Sequence, residues 1–360
     1  MGLPNIEITF RALANTAIQR LARGTVGIII KDEMENGACE LQRASQVAEL
    51  LPQLGTENQD YIRRAFLGYA NPPKKVVAYV LPEVAADYSE AFGYLDTQRI
   101  DYLVGPPDIG TAGCDEIKLW VKETREAGGT PKAVLPDTAA EDYAIINFTT
   151  DGIVVDKRVY TASEYCSRIA GLIAGTPLTI GSCTYAPLPE VERVSGMNKT
   201  EMDAAVDAGQ FILFSDGVSV KVGRGGNSFT NLAKLPGFND SFRKIKIVEV
   251  MDMIYDDIKK TAQDTYIGKY ANSYDNKCLL LTAIGNYFSL LEREGILASG
   301  KSTVELDIEA QEAYLMGQGV DVSSMSAQGI KEANTGAMVF LMAAVSILDA
   351  IEDISLRINV

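Results

Sequence analysis

Lys75-Val-Val-Ala-Tyr-Val-Leu81 is rich in residues that favour β-strands, and Pro73 and Pro82 bound it on either side. The stretch that follows it, Glu83–Gln98, is typical of a helix. A strand that leads into a helix is the repeating unit of a sheet whose faces are covered by helices. This stretch therefore predicts an α/β fold, and the same alternation continues on both sides of it.

Strand and helix patterns alternate through the middle of the chain, from about Thr25 to about Leu235. This rhythm predicts a parallel or mixed sheet covered by helices. Phe211–Phe214 and Val218–Val222 alternate on either side of an Asp-Gly turn, which predicts a hairpin. The other predicted strands are Gly27–Ile30, Tyr102–Val104, Ala133–Leu135, Tyr143–Phe148 and Gly152–Val155, and the other predicted helices are Asp115–Glu126 and Ser163–Ala174.

The last third of the chain is dominated by helical spacing. A strand-like alternation of Ile245 and Ile247 is followed by apolar residues with the period of a helix. A second amphipathic helix is predicted over Asn276–Glu294, and a strand over Thr303–Ile308. The later segments are the loop Gly317–Gly329, rich in Gly and Ser, and the apolar run Met338–Leu348.

Both ends of the chain carry a single apolar row of alternating residues. The rows are Ile6, Ile8 and Phe10 near the start, and Ile354, Leu356, Ile358 and Val360 at the end. This period is typical of a half-buried strand, whose backbone groups and apolar row both need a sheet to join. Each end can join the chain's own sheet or add to the sheet of a neighbouring subunit. Pattern alone favours the chain's own sheet, because that outcome is common.

The composition excludes several classes of function. The net charge of −15 repels a phosphate backbone, which argues against nucleic acid as a direct partner. Histidine is absent, so Ser-His-Asp and Cys-His catalytic arrangements are excluded. No apolar run reaches membrane-spanning length, and we expect no membrane insertion, metal or cofactor. An odd set of cysteines without a Cys-x-x-Cys pair argues against a disulfide framework: Cys39, Cys114, Cys166, Cys183 and Cys278.

One motif points to an enzyme. Gly295-Ile-Leu-Ala-Ser-Gly-Lys-Ser302 matches the G-x-x-x-x-G-K-[ST] pattern of a phosphate-binding loop, in which Lys301 would neutralise phosphates and Ser302 would hold Mg²⁺. A working P-loop follows a strand and precedes a helix. Here a predicted helix precedes the motif and a strand-like stretch follows it, so a P-loop NTPase is the alternative hypothesis and the motif's context argues against it.

Gly105-Pro-Pro-Asp-Ile-Gly-Thr-Ala-Gly113 lies between a predicted strand and a predicted helix, which is where open α/β sheets bind ligands. The stretch lacks the spacing of a dinucleotide site. We therefore interpret it as a tight connection, with Asp108 or Thr111 as the helix cap.

Arg243-Lys-Ile-Lys-Ile-Val-Glu-Val-Met-Asp-Met-Ile-Tyr-Asp-Asp-Ile258 resembles the tail sheath protein of contractile phages, in the form carried by phages, defective prophages and bacteriocin particles of Gram-positive bacteria. Other matching stretches run in order along most of the chain, which is more specific than any single motif. They are Ile8–Asp32, Ala170–Pro177 with Ser182 and Thr184, Gly226–Thr230, Tyr266–Asn272, Asn334–Gly336 with Val339 and Phe340, and Ile351–Leu356.

The resemblance implies a discontinuous inner α/β domain and a middle outer domain. An N-terminal arm, residues 1–24, would join residues 236–349 in the inner domain, and residues 350–360 would form a C-terminal arm strand. Residues 25–235 would form the outer α/β domain, which is called subtilisin-like in that family and here lacks a catalytic triad. The chain is compact for the family, without large surface insertions.

The resemblance also implies a structural role. Family subunits form hexameric rings that stack around an inner tube and contract, which drives the tube through a target cell envelope. The expected partners are further copies of the chain, the inner tube protein, and the baseplate and tail-terminator proteins. The expected location is the bacterial cytoplasm during assembly, and then a phage tail or phage-tail-like particle released on lysis.

Arm exchange assigns roles to residues at both ends and reverses the preference for the chain's own sheet. Ile6, Ile8 and Phe10 become the apolar row of one arm, and Ile354, Leu356, Ile358 and Val360 that of the other. The receiving strand is expected within Met338–Leu348, at Val339, Phe340 and Leu341. Basic residues are candidates for contact with an acidic tube, although a solvated helix face is an equal interpretation: Arg243, Lys244, Lys246, Lys259 and Lys260.

Overall fold

A computed structural model describes residues 17–179, 181–231 and 239–358 of the chain. These residues form two compact units. The larger unit takes its described residues from Ala22–Asp252 and Asp349–Val360, and the smaller unit takes them from Met1–Leu21 and Met253–Leu348. The domain boundaries expected from the sequence stay a prediction.

The larger unit is built on a mixed seven-stranded sheet, as the sequence predicts. Its strand order is β2-β3-β1-β4-β5-β6-β9, and every neighbouring pair is parallel except β2 with β3. The antiparallel strand β2 therefore lies at one edge. The strands are β1 (Thr25–Asp32), β2 (Gly37–Leu41), β3 (Lys75–Pro82), β4 (Tyr102–Val104), β5 (Lys132–Pro136), β6 (Ile145–Phe148) and β9 (Gln210–Phe211).

The central strands are apolar on both faces because helices cover both faces of the sheet. In β1, Val26, Ile28 and Ile30 pack in one core and Ile29 packs in the other. The first core includes side chains of α2 (Thr56–Ala65) and α5 (Ala162–Ala174). The second includes side chains of α3 (Ser89–Leu95) and α4 (Thr111–Glu126). The unit is thus a three-layer α/β/α arrangement, with α1 (Gln46–Leu50) contributing Val47 to the first core.

Gly171 allows α2 and α5 to approach closely. A Cβ atom at this position would lie 1.9 Å from the backbone oxygen of Ala65, so no larger residue fits without movement of one helix. The other glycine of the same stretch, Gly175, is equally close to the backbone of Asn71, at 2.0 Å. The glycines of this segment are therefore packing residues.

The larger unit also carries two hairpins and one helix beyond the sheet. β7 (Ile153–Val155) pairs with β8 (Arg158–Tyr160), and β10 (Leu213–Ser215) pairs with β11 (Val220–Val222). The second hairpin confirms the prediction, except that Phe211 belongs to the large sheet. α6 (Lys199–Asp207) begins at a capping box formed by Asn198 and Glu201.

Helix α7 (Ile245–Thr261) starts earlier than predicted. Ile245 and Ile247 were expected to alternate in a strand, but both lie in the first turn of α7. Both are buried there, at 4% and 5% exposure, because the start of the helix is covered on nearly every side. Apolar residues two apart do not distinguish a strand from a helix buried all round. A π-helical turn, Ala262–Tyr266, follows α7 directly.

The smaller unit combines helices with one two-stranded sheet. Its remaining helices are α8 (Tyr274–Arg293), α9 (Ile308–Gly317) and α10 (Ala327–Glu332), and its strands are β12 (Thr303–Leu306) and β13 (Leu341–Ala344). The prediction missed α9 and placed the start of α10 in a loop. It also made α3 too long, since Glu83–Tyr88 precede that helix.

Candidate functional site

The root of the C-terminal segment, Asp349–Asp353, is attached to the larger unit by hydrogen bonds and ion pairs. Thr184 Oγ1 donates to Glu352 Oε1 at 2.5 Å. Lys244 Nζ pairs with Glu352 Oε2 at 3.1 Å and also with Asp349. Arg224 Nη2 lies 2.8 Å from both carboxylate oxygens of Asp353. Glu352 is the centre of this arrangement, because its side chain is only 4% exposed.

The electrostatics of the root favour the paired state. Burial lowers the pKa of Lys244, but hydrogen bonds to Asp349 and Glu352 outweigh this effect and raise it overall. The pKa of Arg224 is raised first by its hydrogen bond to Asp353. Both cations therefore stay charged, and the root is held at neutral pH by charge-assisted bonds.

The residues that support the root come from stretches that resemble the sheath family. Thr184 Oγ1 also accepts a hydrogen bond from the backbone N–H of Gly225 at 2.9 Å and lies 2.8 Å from Ser182 Oγ. A Cβ atom at Gly225 would lie 2.6 Å from Ser182 Oγ, so a glycine is required for this approach. Sequence analysis did not assign a role to Thr184, Arg224 or Glu352, although the acidic pair before an alternating row was a usable signal.

Beyond the root, the C-terminal row is exposed. Ile354, Leu356 and Ile358 are 83%, 78% and 73% exposed, and residues 354–358 form no strand. Val360 lies outside the described residues. Three aliphatic side chains in one row on a short exposed segment indicate a surface that is completed by something else.

The start of the chain is attached to the smaller unit. The backbone N–H of Leu21 donates to Asp257 Oδ1 at 2.8 Å, and that of Gln19 donates to Thr261 Oγ1 at 3.1 Å. Asp257 is fully buried and also accepts a hydrogen bond from Tyr287 Oη at 2.7 Å. Ile6, Ile8 and Phe10 lie outside the described residues.

The predicted receiving strand forms one half of the two-stranded sheet. β13 pairs antiparallel with β12, and Leu341 is its first residue, opposite Leu306. Val339 and Phe340 lie just before it, and the Phe340 carbonyl accepts from the Asp307 N–H at 3.1 Å. Within the described ranges, β13 has a partner on one edge only. The apolar side chains along it are partly exposed, with Met342 at 50% and Val339 at 37%.

The P-loop motif does not have the structure of a phosphate site. It runs from the end of α8 into β12, the reverse of the order that the motif requires. The carboxylate of Glu292 accepts the backbone N–H groups of Gly300 and Ser302, at 2.9 and 3.1 Å. These bonds, with the one from Gly300 first, lower the pKa of Glu292. A fixed anion of the chain itself therefore occupies the donors that a phosphate would need.

The glycine-rich stretch after β4 is a connection, as interpreted from the sequence. The predicted cap is wrong, because the N-cap residue of α4 is Gly110 and neither Asp108 nor Thr111 caps the helix. The five cysteines are free. No group of His, Cys, Asp and Glu suited to a metal ion occurs in the described ranges. Nor does any helix within them have the length and apolar character needed to cross a membrane.

The basic residues proposed for tube contact all have partners in the chain. Arg243 donates to the Asp207 carbonyl at 2.8 Å, Lys244 belongs to the C-terminal root, and Lys260 pairs with Asp264 at 2.8 Å. Lys259 lies 5.4 Å from the centre of the Tyr255 ring. Lys246 is only 7% exposed, and burial lowers its pKa. Their proposed contact with a tube stays a prediction.

A buried ionic network in the larger unit was not foreseen. Glu249 accepts from Tyr102 Oη at 2.5 Å and pairs with Lys132 Nζ at 3.0 Å. Lys132 also pairs with Asp252 at 2.9 Å, and Asp252 binds Arg125 at 2.7 Å. Burial raises the pKa of Glu249, but Lys132 and the neighbouring cation outweigh it and lower the pKa to about 2. The network ties the start of α7 to the strands β4 and β5.

Comparison with known proteins identifies relatives of the chain. A family model described as the phage tail sheath C-terminal domain matches residues 238–360. The tail sheath protein of Clostridium phage phiCD119 is 38% identical over 364 residues, which is 99% of both chains. Two solved structures share the fold. The sheath tail protein of Desulfitobacterium hafniense has a TM-score of 0.70 at 16% identity, over 84% of this chain and 94% of that one. The contracted helical sheath of the anti-feeding prophage has a TM-score of 0.72 at 15% identity, over 100% of this chain and 99% of that one.

Proposed function

The chain belongs to the phage tail sheath protein family, and we propose that it is the subunit of a contractile sheath in which each end of the chain adds a strand to a neighbouring subunit. Hexameric rings of the subunit stack around an inner tube, and contraction of the stack drives the tube through a target cell envelope. The baseplate and the tail terminator bound the stack. Assembly takes place in the bacterial cytoplasm, and lysis releases the particle.

The exposed C-terminal row is the observation that supports strand addition most strongly. Ile354, Leu356 and Ile358 follow a root that is fixed at Glu352, so the segment is attached at one end and exposed at the other. Burying one such side chain contributes about 1.5–3 kcal/mol. A neighbouring sheet edge supplies both this burial and main-chain hydrogen bonds.

The strand β13 offers a suitable edge. It has one partner, β12, within the described residues, and its apolar side chains are partly exposed. An exposed edge of this kind is a site of pairing with another chain. We propose that an arm of a neighbouring subunit pairs along β13, beginning at Val339, Phe340 and Leu341.

We propose no enzymatic role for the chain. The P-loop alternative loses support because Glu292 occupies the loop's backbone donors and the loop leads into a strand. Contraction then draws on the energy difference between two packings of the same subunits.

Truncation after Asp353 tests the proposal, with negative-stain electron microscopy as the measurement. The truncated chain keeps the root and loses Ile354–Val360, and we expect it to remain folded and to form no long tubes. Arg357→Gln is the matched control, because it changes the other side of the alternating row and should leave tube formation intact. Tubes of normal length from the truncated chain would contradict strand addition by the C-terminal arm.

A further inference from the structure

A cavity of about 670 Å³ in the smaller unit lies beside the edge of β13. Val339 and Leu341 line it, and so do Ala262 and Tyr266 of the π-helical turn. The rings of Tyr266 and Tyr270 stack with centroids 5.3 Å apart and form an aromatic wall. Its volume lies in the range of sites that bind small ligands, and π-helical turns are frequent at functional sites.

Lys277 brings a buried ammonium group to the cavity. It is 3% exposed, and its Nζ has two long hydrogen bonds, each of 3.4 Å, to Gln311 Oε1 and Thr335 Oγ1. Both partners are neutral, and no carboxylate in the described chain pairs with this ammonium. Burial lowers the pKa of Lys277. A buried ammonium with only neutral, distant partners favours a ligand that brings a hydrogen-bond acceptor.

Asn272 brings an unused acceptor to the same cavity. Its Nδ2 donates to the carbonyls of Gly336 and Met338, at 2.8 and 2.9 Å, which assigns the orientation of the amide. Its Oδ1 is buried and has no hydrogen-bond partner among the described residues. Leaving a buried acceptor unpaired costs about 1–3 kcal/mol. Asn272 and Lys277 both hydrogen-bond Thr335 Oγ1, so the spare acceptor and the ammonium are close together.

An extended peptide with an apolar side chain satisfies all three features of the cavity. A peptide carbonyl accepts from Lys277, a peptide N–H donates to Asn272 Oδ1, and the side chain packs on the aromatic wall. A carboxylate ligand would leave Asn272 unpaired, a cation would meet Lys277, and a hydrocarbon would satisfy neither polar group.

We infer that this cavity binds the N-terminal segment Pro4–Phe10 of a second copy of the chain, with the Phe10 side chain against Tyr266 and Tyr270. This inference rests on the strand addition proposed above. Phe10 is the aromatic member of the N-terminal row, and aromatic pairs contribute about 0.5–1.5 kcal/mol beyond area burial. The cavity is continuous with the β13 edge, so a strand that adds there passes over it.

The length of chain that precedes the described residues suits this role. The attachment of Gln19 to Thr261 places the start of the described chain one residue from Ala262, which lines the cavity. The preceding 16 residues of the sequence span up to roughly 50 Å when extended, long enough to reach the same cavity on a neighbour.

Photo-crosslinking in assembled particles tests this inference. Phe10 is replaced by photoreactive benzoylphenylalanine in the full chain, and particles are assembled from an equal mixture of isotopically heavy and light copies. We expect crosslinks from position 10 to residues 266–272 or 336–341 that join heavy with light copies. The same photoreactive residue in place of Thr9, on the other side of the row, should give at least fivefold fewer crosslinks to the cavity.

A second variant narrows the result. Ala337 is exposed and lines the cavity, so Ala337→Trp fills the site without entering the core. We expect it to reduce the position-10 crosslinks at least tenfold. Crosslinks that map elsewhere on intact particles, that stay within one copy, or that reach the cavity from position 356 instead would each overturn the inference and leave strand addition standing. Tubes that form after both ends are deleted would instead overturn the proposed function.

Discussion

Thr184 Oγ1 hydrogen-bonds the carboxylate of Glu352 at 2.5 Å, across 168 residues of sequence. This bond lies at the point where the C-terminal segment leaves the larger unit. The chain is therefore fixed up to Asp353 and exposed from Ile354 onward. A fixed root directs the arm toward its receiver and reduces the conformational entropy lost on pairing.

The two cations of the root should differ in their contribution to stability. Arg224→Gln should change the free energy of unfolding by less than about 1 kcal/mol, because it removes an exposed pair with Asp353. Lys244→Met should cost about 1–3 kcal/mol, because it leaves the carboxylate of Glu352 buried and short of a cation. Thr184→Val should cost a similar amount, since a hydrogen bond to a charged group is lost. Denaturant unfolding measures all three, and equal effects of Arg224→Gln and Lys244→Met would contradict this description of the root.

The Glu249 network should make stability depend on pH in the acid range. The folded pKa of about 2 is below the ordinary value of 4.5, so the ionised form stabilises the fold. This contribution is present above pH 4.5 and is lost as pH falls toward 2. It amounts to about 3 kcal/mol, since each pKa unit corresponds to about 1.4 kcal/mol.

Glu249→Gln isolates that dependence. The variant should be less stable at pH 7, because Lys132 loses one of its two carboxylate partners. It should also lose less stability than the unmodified chain between pH 4.5 and pH 2, as followed by urea unfolding at each pH. An unchanged slope would show that other carboxylates account for the acid sensitivity.

Packing of α2 against α5 should depend on Gly171. Gly171→Ala places a Cβ atom 1.9 Å from the Ala65 carbonyl oxygen, and we expect a loss of at least about 1–3 kcal/mol. Gly93→Ala is the matched control, because a Cβ atom at that helical position meets nothing within 4 Å. The control should be neutral or stabilise by up to about 1 kcal/mol. Thermal unfolding of the two variants makes the comparison, and similar melting temperatures would argue against close helix packing.

Much of the larger unit could be predicted from the sequence, and the reason is physical. A strand covered by helices on both faces must be apolar at successive positions, and β1 and β3 show this pattern directly. The mixed sheet and the hairpin at Asp216-Gly217 followed from such local signals. Family resemblance extended these signals to the whole chain.

Other features could not be predicted because they depend on distant residues. Ile245 and Ile247 lie in a helix whose first turn is buried all round, so their spacing carries no information on the type of element. The root joins Thr184, Arg224 and Lys244 to residues more than 100 positions away. Lys244 was expected to face a tube, and its pairing with Glu352 arises only from the tertiary fold.

Nucleotide should have no effect on the chain. We expect isothermal titration with millimolar MgATP or MgGTP to show no binding, because Glu292 already accepts the N–H groups of Gly300 and Ser302. Lys301→Ala should therefore assemble like the unmodified chain. Saturable binding that Lys301→Ala abolishes would revive the phosphate-binding hypothesis.

Backbone hydrogen exchange at residues 354–358 tests strand addition most directly, when it is measured in the free subunit and in assembled tubes. In the free subunit, we expect these amides to exchange rapidly, because the segment is exposed and forms no strand. In tubes, pairing with a neighbour's sheet should slow their exchange by about 100-fold or more. Equally rapid exchange in both states would show that the C-terminal segment joins no sheet on assembly.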